Sequence, residues 1–253
     1  KLGCVDKLGA VTAARFAQHL LEDHSMPAKF RAITPALAIV LCAGCGTSNE
    51  ETTEIAEATE GMLAADVWAD NWFALSVNGE QVAEDSVPIT TERSFNAESF
   101  TFPDERPFVL ALTAKDYKED DTGLEYIGTD RQQMGDGGVI LQIRDAAGGV
   151  VAVTDASWKC LVTNTAPLNK VCADESDPQA GIGPCGFRNT DVPEGWDTLD
   201  FDDSEWPAAT VHTEEAVSPK FGYDDVSWDA AAKLIWGPDL QTDNTVLCRA
   251  VVE

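Results

Sequence analysis

Residues 72–79 read WFALSVNG, which combines a strand pattern with a strong hairpin signal. Its apolar side chains Phe73, Leu75 and Val77 alternate with their neighbours, which places them on one face of a β-strand. The dipeptide Asn78-Gly79 follows directly, and both positions tolerate the positive φ angles of a two-residue hairpin turn. The stretch therefore predicts a strand, a tight turn and a returning strand.

Strand and turn patterns continue along the chain from Leu63 onward, and no segment after residue 61 keeps a helical period over ten positions. Many short strands between Gly, Pro and Asp turns indicate an all-β sandwich or jelly roll. Residues 163–194, rich in Pro, Gly and Asn, are predicted as a loop. Further strands are predicted at 93–102, 108–114, 139–144, 150–153, 157–162 and 245–252, with a turn at 145–149 and either a helical turn or a strand at 229–236.

The segment 26–44 has the composition of an export leader. A short basic region precedes an uncharged run of 13 residues at 32–44, which is too short to span a membrane and fits a signal peptide. The run ends in LCAG before Cys45, which resembles the lipobox of bacterial lipoproteins, although Cys42 stands where that family usually has Leu. An ordinary secretory leader with a chance cysteine is the alternative.

The lipobox resemblance implies that lipid on Cys45 is the membrane anchor. Residues 45–61 are polar and acidic, so we predict a flexible tether there. Because Gly46 is not the Asp that signals inner-membrane retention in enterobacteria, the resemblance implies the outer membrane if the organism has two membranes. Residues 1–25 are interpreted as translated upstream sequence, and 62–253 as one β-sandwich domain.

The chain is strongly acidic, with a formal net charge of -27. Such a surface repels phosphate backbones and anionic lipid headgroups, which argues against nucleic-acid binding and leaves the lipid as the expected contact with the membrane. The segment after residue 44 contains a single histidine, His212. A zinc site built on two histidines is therefore excluded there, and we identify no catalytic constellation.

Four cysteines follow Cys45, and an even number in an exported chain predicts two disulfides with three connectivities open. Cys172 and Cys185 flank a loop rich in Pro and Gly, which a bridge would hold. Cys160 and Cys248 both lie in strand-like sequence and can meet on neighbouring strands. We therefore predict the pairs Cys172–Cys185 and Cys160–Cys248.

Three stretches resemble the galactose-binding-like β-sandwich domains that accompany bacterial glycoside hydrolases, such as the non-catalytic domains of β-galactosidases and α-L-rhamnosidases. They are ADNW leading to VNGE (69–80), TDASWK (154–159) and GW followed by FDDSEWPA (195–208). The resemblance implies a jelly-roll sandwich. It implies function only weakly, because many such domains bind nothing.

Seven tryptophans follow the leader, and sugar rings stack on exposed aromatic faces. We expect Trp158, Trp196 and Trp206 to pack in the core, and residues 202–204 to form a capped turn. Trp68 and Trp72 are the candidates for exposed rings. The predicted ligand-binding set is Trp68, Asp70, Asn71, Trp72, Asn78 and Glu80.

Two acidic loops, at 116–121 and 130–138, could hold Ca²⁺, which takes six to eight oxygen ligands. Neither has the spacing of an EF-hand, so we expect a solvated loop in each case, with Ca²⁺ binding as the alternative. No other cofactor is expected. The weak calcium candidates are Asp116, Glu119, Asp120, Asp121, Asp130 and Asp136.

Three functions remain open at this point. The first is an envelope-anchored, non-catalytic module that binds carbohydrate, which predicts an exposed aromatic ring beside amides and carboxylates. The second is an assembly lipoprotein that contacts another envelope protein, which predicts a contiguous apolar surface patch. The third is a glycoside hydrolase, which predicts two carboxylates about 5–10 Å apart in a pocket.

Overall fold

In the computed structural model, the described residues are 56–253, so the expectations for the leader, for Cys45 and for most of the tether lie outside them. The described part is nearly all β-structure, with one short α-helix, α1 (Glu214–Val217), and two 3₁₀ turns, Lys170–Asp174 and Tyr223–Asp225. The strands are β1 (Met62–Asp70), β2 (Trp72–Val77), β3 (Glu80–Glu84), β4 (Ala97–Pro103), β5 (Phe108–Lys115), β6 (Leu124–Glu125), β7 (Gln133–Met134), β8 (Gly138–Arg144), β9 (Val150–Val153), β10 (Lys159–Thr165), β11 (Arg188–Asn189), β12 (Thr210–His212), β13 (Leu234–Trp236) and β14 (Asp243–Val252).

The strands form two antiparallel six-stranded sheets and one small ribbon. The first sheet has the order β12-β13-β8-β1-β4, with β9 also paired to β8. The second sheet has the order β11-β10-β14-β5-β2-β3, and β6 pairs with β7 alone. The predicted all-β sandwich is therefore confirmed.

The hairpin predicted from WFALSVNG is present. β2 and β3 pair so that Val77 lies opposite Glu80, and the turn residues Asn78 and Gly79 have φ angles of 51° and 83°. The Asn78 side chain also accepts a hydrogen bond of 3.0 Å from the backbone N–H of Val109, which fastens the turn to β5. The dipeptide thus supplies both the turn geometry and an anchor.

The main core lies between the two sheets. The first sheet contributes alternate residues of β1, such as Leu63 and Val67, and the second contributes Phe73 and Leu75 of β2. Burying one such side chain contributes about 1.5–3 kcal/mol. Trp158 and Trp206 are also buried, as expected.

Both predicted disulfides are present. Cys160 and Cys248 lie directly opposite each other on β10 and β14, with 4.1 Å between their Cα atoms. Cys172 and Cys185 close the long loop and pack against Leu124 in a small separate cluster. Disulfides persist in oxidising compartments, so the two disulfides indicate an exported or extracellular protein.

A second core cluster covers the other face of the first sheet. Trp68 and Ile140, which point away from the main core, pack against Val217, Tyr223 and other apolar residues between positions 217 and 234. Trp68 is fully buried, so the expectation of an exposed ring there is wrong. The physical reason is that a distant segment covers this face.

Several strand boundaries differ from the sequence prediction. The strand expected from residue 93 begins at Ala97, because residues 93–96 form a loop. The predicted loop from residue 163 still contains the end of β10, a 3₁₀ turn and β11. The ambiguous segment at 229–236 ends in the strand β13.

Candidate functional site

One end of the sandwich gathers buried polar residues where β1 passes into β2. Asp70 closes β1 and Asn71 follows it, and both side chains are buried. The Asn71 amide oxygen accepts a 2.6 Å hydrogen bond from the backbone N–H of Tyr117, and its amide nitrogen donates to the Ser94 carbonyl at 3.5 Å. Asn71 therefore ties together three separate chain segments at this end.

Three aspartates converge at the same end, and we call them the acidic cluster: Asp70, Asp116 and Asp136. Asp70 ends β1, Asp116 directly follows β5, and Asp136 lies two residues before β8. One carboxylate oxygen from each lies within 4.8 Å of those from the other two. Residues far apart in the chain meet here because these strand ends lie at the same end of the sandwich.

Lys220 is the cation that lies within the acidic cluster. Its ammonium donates to Asp70 Oδ2 at 3.0 Å and to the two oxygens of Asp136 at 3.1 and 2.9 Å. The same ammonium lies 4.7 Å from the centre of the Phe95 ring. Burial acts against its charge, but Asp70 and Asp136 outweigh burial and raise the pKa of Lys220.

Lys220 could not balance the acidic cluster if all three of its carboxyl groups were ionised. Asp116 is only 3% exposed, and neither of its carboxylate oxygens has a hydrogen-bond partner within residues 56–253; the same holds for Asp70 Oδ1. Gly135 allows this close packing, since a Cβ atom there would lie 1.6 Å from Asp116 Oδ2. A buried carboxylate without a partner lowers the stability of the folded state, so we expect these oxygens to bind a proton or a cation.

Burial changes the protonation of the carboxyl groups at this site. Burial, with the Asp136 charge second, raises the pKa of Asp70 to about 7, and burial raises the pKa of Asp116 well above its usual value. Asp70, Asp136 and Glu125 line a small cavity. Burial raises the pKa of Glu125 to about 7 as well. The cavity measures about 90 Å³, which is room for an ion and water rather than for a sugar ring.

A larger cleft lies beside the acidic cluster, and we call it the Phe221 cleft. Its volume is about 360 Å³, and Arg93 and Phe95 border both the cleft and the small cavity. The Phe221 side chain is 76% exposed, which is the largest value among the exposed large apolar residues of the described part. The cleft is also lined by Asn96, Ser99 and Asp225.

The backbone at Phe221 is anchored although its ring is exposed. The buried indole N–H of Trp68 donates to the carbonyls of Phe95 at 2.8 Å and of Phe221 at 3.0 Å. Gly222 has a φ angle of +85°, and a Cβ atom there would lie 2.5 Å from the Phe95 carbonyl oxygen. The ring is therefore presented to solvent by a firmly held segment.

The sequence-predicted ligand-binding residues do not form one site. Asp70 and Asn71 lie at the acidic end, and Trp72 is partly buried there with the Lys115 ammonium 4.8 Å from its ring. Asn78 and Glu80 are exposed at the other end of β2, about 20 Å away for a strand of this length.

The predicted calcium residues also separate. Asp116 and Asp136, one from each acidic loop, meet at the acidic cluster, so the expectation of a solvated loop is wrong for Asp116. The other four serve local contacts or face solvent: Glu119 accepts from the Ile127 N–H, Asp120 accepts from Thr122, Asp121 pairs with Lys118, and Asp130 is exposed.

Four important residues of this region were not identified from the sequence: Phe95, Glu125, Lys220 and Phe221. Each lies in a loop or in a two-residue strand, with no motif around it. The signal that exists is compositional, since Lys220 is one of only twelve basic residues after position 44.

The third motif region is structural. Asp202 accepts a 3.0 Å hydrogen bond from the Ser204 N–H, which confirms the capped turn. Trp196, which was expected in the core, is only partly buried and stacks on Trp206 with 6.1 Å between ring centres.

Within residues 56–253, no helix has the length and apolar character needed to cross a membrane.

Comparisons with known proteins give little further information. No family model matches the chain, and no curated protein matches it. Among solved structures, it is similar to an α-L-rhamnosidase of Streptomyces avermitilis, whose structure was determined with L-rhamnose, at 21% identity and a TM-score of 0.33. The match covers 61% of this chain and 11% of the enzyme, so the chain corresponds to about a tenth of that protein. A TM-score this low carries no argument about activity, and the sandwich rests on the strands themselves.

Proposed function

We propose that this chain is a non-catalytic binding module of an envelope-anchored lipoprotein, that it binds carbohydrate in the Phe221 cleft, and that Ca²⁺ binds in the acidic cluster beside it. The observation that carries the proposal is the exposed Phe221 ring on an anchored backbone, next to amide and carboxylate side chains. This is the arrangement expected of a sugar-binding platform.

The cleft has suitable size and chemistry for a sugar. Its volume of about 360 Å³ lies at the lower end of the range for small-molecule sites. The Phe221 ring offers a flat apolar face to sugar C–H groups. Around it, Asn96, Ser99 and Asp225 offer donors and acceptors for sugar hydroxyls.

The cation part of the proposal rests on the unpartnered oxygens. Ca²⁺ is bound by carboxylate, carbonyl and water oxygens at 2.3–2.6 Å. Asp116 offers two buried oxygens without a hydrogen bond, and Asp70 offers one more. Binding of Ca²⁺ there would neutralise the excess charge and hold the strand ends that carry the cleft.

A hydrolase is the alternative favoured by the acids with raised pKa values. Asp70 and Glu125, each with a pKa of about 7, have the protonation expected of a general acid. However, they border a cavity of about 90 Å³, which does not admit the sugar ring that a glycosidase must hold between its two carboxylates. We therefore favour binding over catalysis.

An assembly role is favoured by a different observation. The segment around the Cys172–Cys185 disulfide exposes apolar side chains at Leu168, Val171, Ile182 and Phe187. Pull-down from membranes with the wild-type chain and with Ile182→Ser tests this role. A specific envelope protein that is retained by the wild type and lost by the variant would favour assembly over sugar binding.

A glycan array tests the main proposal. We expect the chain to bind a restricted set of glycans, and Phe221→Ala to weaken binding by about tenfold or more through loss of the ring contact. Phe187→Ala, which removes an exposed ring elsewhere, is the matched control and should bind as the wild type does. Flat responses across plant, algal and bacterial glycans, with and without Ca²⁺, would contradict the proposal.

Mass spectrometry of the native protein tests the anchor separately. The proposal predicts an N-terminus at Cys45 carrying acyl chains. An unprocessed N-terminus upstream of that residue would remove the lipoprotein part and leave the sugar-binding part untouched.

A further inference from the structure

We infer that Lys220 is an internal competitor for the cation site, so that Ca²⁺ displaces its ammonium from the acidic cluster and releases it toward the Phe221 cleft. The inference deepens the proposed function, on which it rests, by naming how the occupancy of one site changes the other. It depends on the position of one side chain between two carboxylates and one aromatic ring.

The competition follows from shared oxygens. The Lys220 ammonium donates to Asp70 Oδ2 and to both oxygens of Asp136, which are two of the three members of the acidic cluster. A Ca²⁺ ion bound to the three aspartates would have to take oxygens from the same two groups. The ammonium and the ion would then lie within a few ångströms of each other and repel strongly, so they do not share the site.

The unpartnered oxygens show why the ammonium does not satisfy the site. The ammonium reaches Asp70 and Asp136 but leaves both Asp116 oxygens and Asp70 Oδ1 without a partner among residues 56–253. The three contacts of the ammonium all go to Asp70 and Asp136, so no donor is left for Asp116. A divalent ion with six to eight oxygen ligands can contact all of them.

Lys220 is able to move while its backbone stays in place. Its side chain is about one-third exposed and, like any lysine, has a flexible four-carbon stem. The next residue is held by the Trp68 indole, and Gly222 packs on the backbone of 95–97. Displacement is therefore confined to the side chain.

The displaced ammonium has a place to go. In the structure it already lies 4.7 Å from the centre of the Phe95 ring, and Phe95 borders both the small cavity lined by Asp70 and Asp136 and the Phe221 cleft. A shift across this ring brings the ammonium to the cleft, where it can donate to ligand oxygens. Ca²⁺ would thus add one free donor to the proposed sugar site.

Calorimetric titration of the full chain with CaCl₂ tests the inference. We expect Lys220→Met, which keeps the stem and removes the charge, to bind Ca²⁺ about tenfold more tightly than the wild type or better. Lys220→Arg retains the charge and should show no such gain. Lys170→Met, which breaks the exposed pair with Asp239, is the matched control and should bind Ca²⁺ as the wild type does.

Equal or weaker Ca²⁺ binding by Lys220→Met than by the wild type would overturn the inference. So would the absence of binding by both proteins up to about 10 mM, which exceeds the range of extracellular calcium modules. If Lys220→Met is unfolded without the ion, recovery of its β-sheet circular dichroism by Ca²⁺ supports the inference, and failure to recover overturns it.

The glycan array separates this inference from the proposed function. If the glycan signal depends on Phe221 and Lys220→Met binds Ca²⁺ as the wild type does, the competitor role of Lys220 is contradicted and the sugar site is supported. If the variant binds Ca²⁺ more tightly and the glycan arrays are flat, the competitor role of Lys220 is supported and the sugar site is contradicted.

Discussion

Two of the regions in which the sandwich buries charged groups differ in the balance of their charges. In the first, Arg249 of β14 is 2% exposed and faces a single carboxylate, Asp203. Its guanidinium also donates to the carbonyls of Thr198 at 2.8 Å and Phe201 at 3.5 Å. One positive charge thus meets one negative charge and two carbonyls, and the pair holds the loop around 198–203 on the second sheet.

The acidic cluster has the opposite character. Asp70, Asp116 and Asp136, with Glu125 beside them, face one ammonium, and three buried oxygens have no partner in the described part of the chain. A balanced buried pair is a structural tie, whereas an unbalanced group lowers stability unless a ligand neutralises it. This difference is the reason why we propose a ligand at the acidic cluster and none at the Arg249–Asp203 pair.

The largest effect should follow from breaking the balanced pair. Arg249→Met removes the guanidinium and leaves Asp203 and two carbonyls without their donor, so we expect the free energy of unfolding to fall by about 3–5 kcal/mol. Urea denaturation measures it. A loss below about 1 kcal/mol would show that the pair is no more important than an exposed ion pair.

The stability of the metal-free protein should depend on pH in an unusual direction. The pKa of Asp70 and of Glu125 is about 7 in the folded chain, against ordinary values of 3.8 and 4.5. The folded state therefore binds more protons than the unfolded state between about pH 4 and 7.

Stability should accordingly rise as the pH falls from 8 toward 5, by about 2–3 kcal/mol for each of the two groups. Urea denaturation at each pH in a chelating buffer measures this. Saturating Ca²⁺ should flatten or reverse the trend, because protons then compete with the ion. A metal-free protein that loses stability steadily below pH 7 would contradict the unbalanced state of the acidic cluster.

A smaller effect is expected for Asp116→Asn, which removes a buried carboxyl group whose pKa burial raises well above its usual value. The metal-free variant should be more stable than the wild type by about 1 kcal/mol and should lose the stabilisation by Ca²⁺. Asp130→Asn changes an exposed carboxylate and should stay within about 0.5 kcal/mol. Thermal unfolding with and without Ca²⁺ compares the three proteins, and equal Ca²⁺ stabilisation of all of them would exclude Asp116 as a ligand.

The smallest effect on stability is expected for Phe221→Ala. The ring is mostly exposed and the backbone is held by Trp68. The free energy of unfolding, measured by urea denaturation, should therefore stay within about 0.5 kcal/mol of the wild-type value. A large loss of stability would mean that the ring packs on the protein rather than facing a ligand.

Local patterns in the sequence were sufficient for much of the sandwich. The alternation at Phe73, Leu75 and Val77 and the Asn78-Gly79 turn predicted the β2–β3 hairpin, because hairpins depend on neighbouring residues. The pairing of Cys160 with Cys248 was confirmed because both lie in strands that pair directly. These features involve local geometry or strongly marked residue types.

The candidate site could not be predicted in this way. Asp70 and Lys220 are separated by 150 positions, and no local pattern links them. Trp68 was expected to be exposed because it lies near a loop, but the segment at 217–234 covers it. Which loop covers which sheet face depends on the whole packing, and this information is not contained in periodicity.

A crystal structure of the full chain grown with Ca²⁺ will show whether the acidic cluster binds the ion and displaces Lys220. We expect an ion within 2.3–2.6 Å of carboxylate oxygens of Asp70, Asp116 and Asp136, with the Lys220 ammonium moved toward Phe95 and the cleft. Lys220 still bound between Asp70 and Asp136, with no ion beside Asp116, would contradict it.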